Sequence, residues 1–308
     1  MHGPCYETII FDIGWFDGGR VRTWFGLERE LVQVDRMISS LIQPVLVGIY
    51  RLPVVNALLR TRIGSSFYVI CYDLYKNFVE AAGNQGLARH ISPGSWAIDV
   101  GANNGFFTKR FARWVKSGGR VIAIEPDPEN LALLYRRFSA ASLERIDVHQ
   151  AVAVEKAGTV RLQRNPLQPT DHRISETGDP VSAVTLDEIV EQAGSPMIGL
   201  IKIDTQGSEQ RVLAGATQTI RRCRPNLFVE VDDAVLRENG SNAVQLIDQI
   251  QSLGYGFFKL TSKGEEIALR ADEILTAAQQ EQDAYTDLLC IPLPEDLRQG
   301  AGAMRSGV

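Results

Sequence analysis

From Trp96 onward, short apolar runs alternate with stretches in which apolar residues recur at helical spacing. The runs predict strands at 97–100, 121–124, 146–154, 200–203, 227–231, 256–260 and 287–291. The periodic stretches predict helices over 108–116, 128–138, 186–192, 209–221 and 243–253. Residues 159–163 are expected to pair beside the third strand, after a turn at Ala157-Gly158. Strands alternating with helices, each strand apolar on both faces, are the pattern of a mostly parallel sheet covered by helices on both sides. The expected fold class is therefore α/β.

The first 90 residues follow a different pattern. Residues 26–36 have helical spacing, 66–72 resemble a strand, and 73–82 a helix. Residues 41–59 are rich in Leu, Val and Ile and approach the length of a membrane span, about 20 residues. Gln43, Arg51 and Asn56 lie within them, and Pro44 and Pro53 divide them into short pieces. A charge at the centre of a span is costly and proline breaks a helix, so buried or docking helices are the reading. A peripheral membrane contact stays open as the lesser alternative. The expected organisation is a mainly helical extension or cap over 1–90, an α/β domain over 91–295 and a flexible tail over 296–308. The extension is expected to cover one side of that domain's ligand cleft or to form a homo-oligomer contact.

Composition narrows the partners. The 308 residues carry a formal charge of -5, so no broad cationic field exists for a nucleic-acid backbone. A small molecule or a glycan is the expected acceptor. The four cysteines, Cys5, Cys71, Cys223 and Cys290, stand far apart with no C-x-x-C spacing, which gives neither a disulfide framework nor a zinc site. Asp12 and Asp17 interrupt the N-terminus, which lacks the basic start of a secretory signal. The expected setting is cytoplasmic.

Sheets of this kind bind ligands at the carboxyl ends of their strands, where strand order reverses. The loop after the first strand runs Asp99-Val100-Gly101-Ala102-Asn103-Asn104-Gly105. A dinucleotide site needs G-x-G-x-x-G to bring amides against a pyrophosphate. Position 103 is Asn, and Asp99 would place a negative charge beside that pyrophosphate. The loop suits a cofactor bearing an amine and a sulfonium: S-adenosylmethionine fits better than NAD. Glu125 ends the second strand about 20–25 residues past the loop, where a carboxylate accepts hydrogen bonds from a ribose. Asp127 precedes Pro128 and is either a helix cap or an adenosine contact. Gln150 and Ala151 stand where an adenine ring would lie.

Five ordered motifs then resemble the FkbM-type methyltransferases: Asp99 to Thr108, Glu125 to Pro128, Val184 to Asp187, Ile201 to Glu209 and Pro225 to Glu230. The resemblance covers residues 96–291. It implies a Rossmann-like class I methyltransferase fold, with a seven-stranded, mostly parallel sheet and an antiparallel last strand. It also implies S-adenosylmethionine as donor and O-methylation of a hydroxyl on a sugar, glycolipid or secondary metabolite. By position, Asp99, Gly101, Ala102, Asn103 and Gly105 would hold the methionine end, Glu125 the ribose, and Gln150 with Ala151 the adenine. Asp204 would face the methionine amine or the acceptor. The family often has an acidic residue between Asp204 and Gly207, where this chain has Gln206. An NAD-linked oxidoreductase and a non-catalytic methyltransferase-like binding module are the alternatives.

The catalytic candidates are Asp204, His172 and Glu230. His172 lies beside Asp171 and Arg173 in a polar stretch, 165–181, expected to be an acceptor-facing loop suited to an acidic or phosphorylated sugar. Lys202 shares a strand face with Asp204, and burial demands a carboxylate partner, with Glu230 as a candidate. A metal site from Asp204, Glu230, Asp232 and Asp233 is not expected.

Overall fold

Strand β1, Trp96–Val100, lies inside its sheet, with Ala97 buried on one face and Ile98 and Val100 on the other. In the computed structural model, described for residues 15–17, 20–22, 64, 83–116, 118–164, 172–261, 263–280 and 285–295, it is flanked on each side by parallel strands. The elements that follow are α1 (Phe106–Trp114), β2 (Val121–Ile124), α2 (Pro128–Arg136), α3 (Ala140–Leu143) and β3 (Ile146–His149). Next come β4 (Val152–Ala153), β5 (Gly158–Gln163), β6 (Arg173–Ile174), β7 (Asp179–Val184) and α4 (Leu186–Gln192). Then follow β8 (Ile198–Ile203), α5 (Glu209–Ala214), α6 (Thr217–Cys223), β9 (Asn226–Asp232), α7 (Asp233–Glu238) and α8 (Ala243–Ser252). The last are β10 (Tyr255–Leu260), β11 (Glu266–Leu269), α9 (Ala271–Gln280) and β12 (Tyr285–Pro292).

The central sheet runs β11-β10-β12-β9-β8-β1-β2-β3. From β9 to β3 every pairing is parallel, and β12 is antiparallel to both β9 and β10. It has eight strands against the seven expected. The extra one, β11, pairs antiparallel with β10 at the edge and has a mixed, mostly exposed pattern that gives no apolar run to read. Strand order along the sheet reverses between β1 and β8, so their carboxyl ends open the crevice in which this architecture binds ligands.

Alternate residues feed two cores. Ile98, Ile122, Ile201 and Val229 pack on one face; Ala97, Leu200, Phe228 and Leu289 pack on the other, under Phe111 of α1. Each large side chain buried this way contributes roughly 1.5–3 kcal/mol. Cys223 and Cys290 are buried free thiols. Residues 83–90 close against the β10–β11 hairpin, where Glu266 meets Arg89 at 3.2 Å and His90 at 3.0 Å.

Four expectations change. The run 146–154 is two strands: the chain turns after His149, whose carbonyl accepts from both Glu125 N and Ala151 N at 3.1 Å. Val152 and Ala153 then pair with β7 in a second sheet ordered β4-β7-β5-β6. Residues 158–163 accordingly pair with β7, not with the third strand. The stretch 165–181 is in part strand, since β6 and the start of β7 fall inside it; residues 165–171 lie outside the described set. The helix expected over 209–221 breaks at Gly215. A Cβ there would stand 2.1 Å from the Val154 carbonyl oxygen, so the helix can pass this backbone only as glycine. Asp187 restarts it by accepting from Gln218 N (2.9 Å) and Thr219 N (2.8 Å).

The chain divides into two units, 1–57 and 58–308. In the first, the described residues form one antiparallel pair, Trp15–Asp17 with Arg20–Arg22. The apolar stretch 41–59 and the rest of the expected cap before residue 83 lie outside the described residues, Gly64 excepted. Among the described residues no helix is long and apolar enough to cross a membrane.

Candidate active site

The loop between β1 and α1 has its amides spoken for. Gly101 N and Ala102 N both donate to Ile124 O at 3.0 Å, and Gly105 N donates to Ala102 O at 2.9 Å. Asn103 N donates to Glu125 Oε2 at 2.8 Å, and Asn104 N to the Asn103 side-chain oxygen at 2.6 Å. None of these five N–H groups is turned outward for a pyrophosphate. Asn103 adopts φ +50, left-handed backbone that Asn tolerates better than most side chains. Gly101 has φ +72, and an added Cβ would lie 1.9 Å from the Asp204 backbone oxygen. The two strand-end loops that frame the crevice therefore touch at a position without room for a side chain.

Glu125 follows β2 and is 4% exposed. Its carboxylate also accepts from Asp127 N at 2.9 Å and Asn130 Nδ2 at 3.2 Å. Burial raises its pKa to about 7, against the opposing pull of those hydrogen bonds. A buried acid poised there, with no cation in contact among the described residues, is suited to accept from hydroxyl donors once ionised. If Glu125 binds a ribose diol, affinity for S-adenosylhomocysteine should rise about tenfold between about pH 6 and about pH 8, as the acid ionises. Calorimetric titrations across that range should show the rise, and Glu125→Gln should flatten it. The linkage in the free protein has the opposite sense. The folded value is raised from 4.5, so this group's stabilising contribution is complete below 4.5 and is lost as pH climbs through about 7.

Of the two roles open to Asp127, the structure shows the cap: Oδ1 accepts from Glu129 N at 2.7 Å and Asn130 N at 3.0 Å. Its other oxygen faces His172 Nε2 and Arg164 Nε, each at 3.5 Å. Gln150 is exposed at the sheet edge, whereas Ala151 is buried in the core on the far face.

Asp99, near the end of β1, lies beneath the glycine loop. It is wholly buried, accepts from Thr108 Oγ1 at 2.6 Å and lies 3.5 Å from Lys202 Nζ. Burial raises its pKa, with Lys202 and Thr108 pulling the other way. From this position Asp99 supports the glycine loop from beneath, through Lys202. Lys202 Nζ donates to Gly101 O at 2.9 Å, meets Asp204 Oδ2 at 3.2 Å and lies over the Phe107 ring. Burial alone would lower the Lys202 pKa, but Asp204 and Asp99 together more than offset it and the net direction is upward. Its ion-pair partners are Asp204 and Asp99 rather than Glu230.

Parallel register places Asp204 and Glu230 at neighbouring strand ends, and Asp287 stands opposite Glu230 across β12. Burial and the nearby Asp204, Asp287 and Glu209 carboxylates push Glu230 well above the usual range. Gln206 Nε2 bridges Asp204 Oδ1 (3.4 Å) and Glu230 Oε2 (3.1 Å), a role that no spacing in the sequence discloses. Asp232 and Asp233 serve α7 and α8: Asp232 accepts from Val235 N, and Asp233 from Ala243 N and Arg237 Nε. Among the described residues no group of three or more His, Cys, Asp or Glu is arranged to hold a metal ion. His172 lies beside Asp127, and Arg173 is ion-paired with Glu238.

A sheet whose strand order reverses beside a glycine loop, which carries an acid after its second strand and inserts its last strand antiparallel between β9 and β10, is the class I methyltransferase architecture. The chain belongs to the FkbM methyltransferase family: the Methyltransferase FkbM domain matches residues 99–257, just over half of the chain. It is 29% identical over 175 residues to the 2-O-methyltransferase NoeI of Sinorhizobium fredii, a match covering 50% of this chain and 70% of that protein. It is 30% identical over 159 residues to the 31-O-demethyl-FK506 methyltransferase FkbM of Streptomyces tacrolimicus, covering 41% of this chain and 60% of that one. Among solved structures, a methyltransferase FkbM from Methylobacillus flagellatus aligns at 24% identity and a TM-score of 0.42, over 64% of this chain and 43% of the other.

Proposed function

We propose that the chain is an S-adenosylmethionine-dependent O-methyltransferase acting on a hydroxyl of a sugar, glycolipid or secondary metabolite. The observation that carries this reading is the amide accounting of the glycine loop. Its N–H groups are spent on Ile124 O, Ala102 O, Glu125 and Asn103, and the Glu125 carboxylate, which accepts three hydrogen bonds, keeps acceptor capacity for a further donor. That fits a cofactor with a ribose diol and no phosphate. It counts against an NAD-linked oxidoreductase.

Glu125 would take the ribose hydroxyls, the Gly101–Asn103 backbone would line the methionine end, and Asp204 would accept from its amine or from the acceptor. S-adenosylmethionine supplies, when bound, a methyl group on a sulfonium, open to in-line displacement by an oxygen. The protein's share is alignment of that oxygen and removal of its proton. Asp204 and Glu230 are the better candidates for the proton, since His172 is held at Asp127. His172, Arg173 and Arg164 all face carboxylates, so a neutral acceptor suits the site better than an acidic or phosphorylated one. A cytoplasmic setting belongs to the same reading, with Cys223 and Cys290 as buried thiols.

The test is release of S-adenosylhomocysteine in the presence of S-adenosylmethionine and a panel of neutral sugars, glycolipids and macrocyclic alcohols, with phosphorylated sugars alongside. Turnover with a neutral hydroxylated acceptor is the expected outcome, together with a fall of at least about a hundredfold in Asp204→Asn. Turnover confined to amines or to phosphorylated sugars would contradict it.

A further inference from the structure

We propose that Gln206 is a positioning residue that holds Asp204 and Glu230 together as a proton-sharing pair, with Asp204 taking the proton of the acceptor hydroxyl. The inference deepens the functional reading above and rests on it.

Gln206 follows β8 in a turn with φ +54, a backbone conformation uncommon outside glycine. The turn is pinned from two sides. Asn239 Nδ2 donates to Gln206 O at 3.2 Å, and Glu209 Oε1 accepts from Thr205 N at 3.0 Å and Gly207 N at 3.1 Å. Held this way, the amide nitrogen reaches both carboxyl groups, Asp204 at 3.4 Å and Glu230 at 3.1 Å. A primary amide has two N–H donors, one for each.

The two acids sit in unequal surroundings. Asp204 has a donor at each oxygen, Gln206 at Oδ1 and Lys202 at Oδ2. Asp99 lies behind Lys202 and shares its charge. Glu230 faces Asp204 from β8, Asp287 from β12 and Glu209 from α5, with Lys202 as the attractive charge in reach. It also shares a hydrogen bond with Asp204. Two carboxyl groups this close do not both ionise cheaply, so one proton stays on the pair, favouring Glu230. Asp204, 34% exposed at its side chain, is left as the carboxylate open to the cleft. As the acceptor oxygen bonds to the methyl carbon, its O–H proton passes to Asp204, and the electron pair of the broken carbon–sulfur bond remains on sulfur. The pair then holds two protons and returns one to water.

The test is a carboxyl ¹³C NMR titration of the full chain labelled in Asp and Glu, with Glu230→Gln assigning the signal. One carboxyl should titrate well above the ordinary range and vanish in that variant. Gln206→Glu, which adds a third carboxyl group, should move this titration upward by about one pH unit. Gln206→Met, which removes the donor without adding charge, should move it the same way by less, and it decides the matter if the Glu variant does not fold. A titration left in place in the Gln206 variants overturns the proposal even if their thermal midpoints change, because packing alone would do no more. Calorimetry with S-adenosylhomocysteine on the same samples keeps the two failures apart. Wild-type protein that does not bind it overturns the methyltransferase reading, whereas binding with an unmoved titration overturns only the role of Gln206.

Discussion

Gly101→Ala is expected to cost at least about 3 kcal/mol of stability and to remove binding of S-adenosylhomocysteine. A non-glycine residue in a strained left-handed conformation costs about 1–3 kcal/mol by itself, and Gly101 has φ +72. The steric cost comes on top, because the new methyl group would sit 1.9 Å from the Asp204 carbonyl oxygen. That atom belongs to backbone at the end of a central strand, so no rotamer change relieves the contact. The loops after β1 and β8 must separate, and Lys202 donates to Gly101 O across the same gap. Urea unfolding and calorimetry check the two halves of the prediction. An unchanged midpoint with unchanged affinity would mean that the loops do not meet as described.

Lys202→Met should be as damaging for an electrostatic reason. Lys202 is 4% exposed at its side chain and Asp99 0%, so removing the ammonium strands a carboxylate in the core. Breaking a buried pair from one side costs about 3–5 kcal/mol, most of it the penalty on the abandoned charge. Adding Asp99→Asn removes that charge, and the double variant should recover a large part of the loss. Denaturant midpoints of the two single variants and the double variant give the coupling directly. Additive losses would show that Asp99 and Lys202 act independently.

The parallel core was legible because its strands are continuous apolar runs bounded by Gly, Pro and charge, as at Val121–Ile124 and Asn226–Asp232. The second sheet was not. Strand β5 has one buried residue, Leu162, and the two-residue strands β4 and β6 carry no period at all. The break at Gly215 was hidden because it depends on a carbonyl 61 positions away in sequence, that of Val154. In the site, Glu125 stands at a strand end as read, whereas the depth of Asp99 depends on α1 closing over it with Thr108, which spacing does not disclose. Asp127 was ambiguous from sequence because a residue before Pro can both cap a helix and face a ligand. The register of neighbouring strand ends brings Asp204, Gln206 and Glu230 together, a fact of sheet order and not of chain order.

The central claim is that the crevice between β1 and β8 binds an adenosyl cofactor through Glu125 and not a dinucleotide through loop amides. Calorimetric titration of wild-type and Glu125→Gln protein with S-adenosylhomocysteine, and of wild type with NADH, tests it most directly. The expected result is saturable binding of S-adenosylhomocysteine, weakened about ten- to a hundredfold by the substitution, with no heat from NADH. Tight NADH binding with no response to S-adenosylhomocysteine, or full S-adenosylhomocysteine affinity in Glu125→Gln, would contradict it.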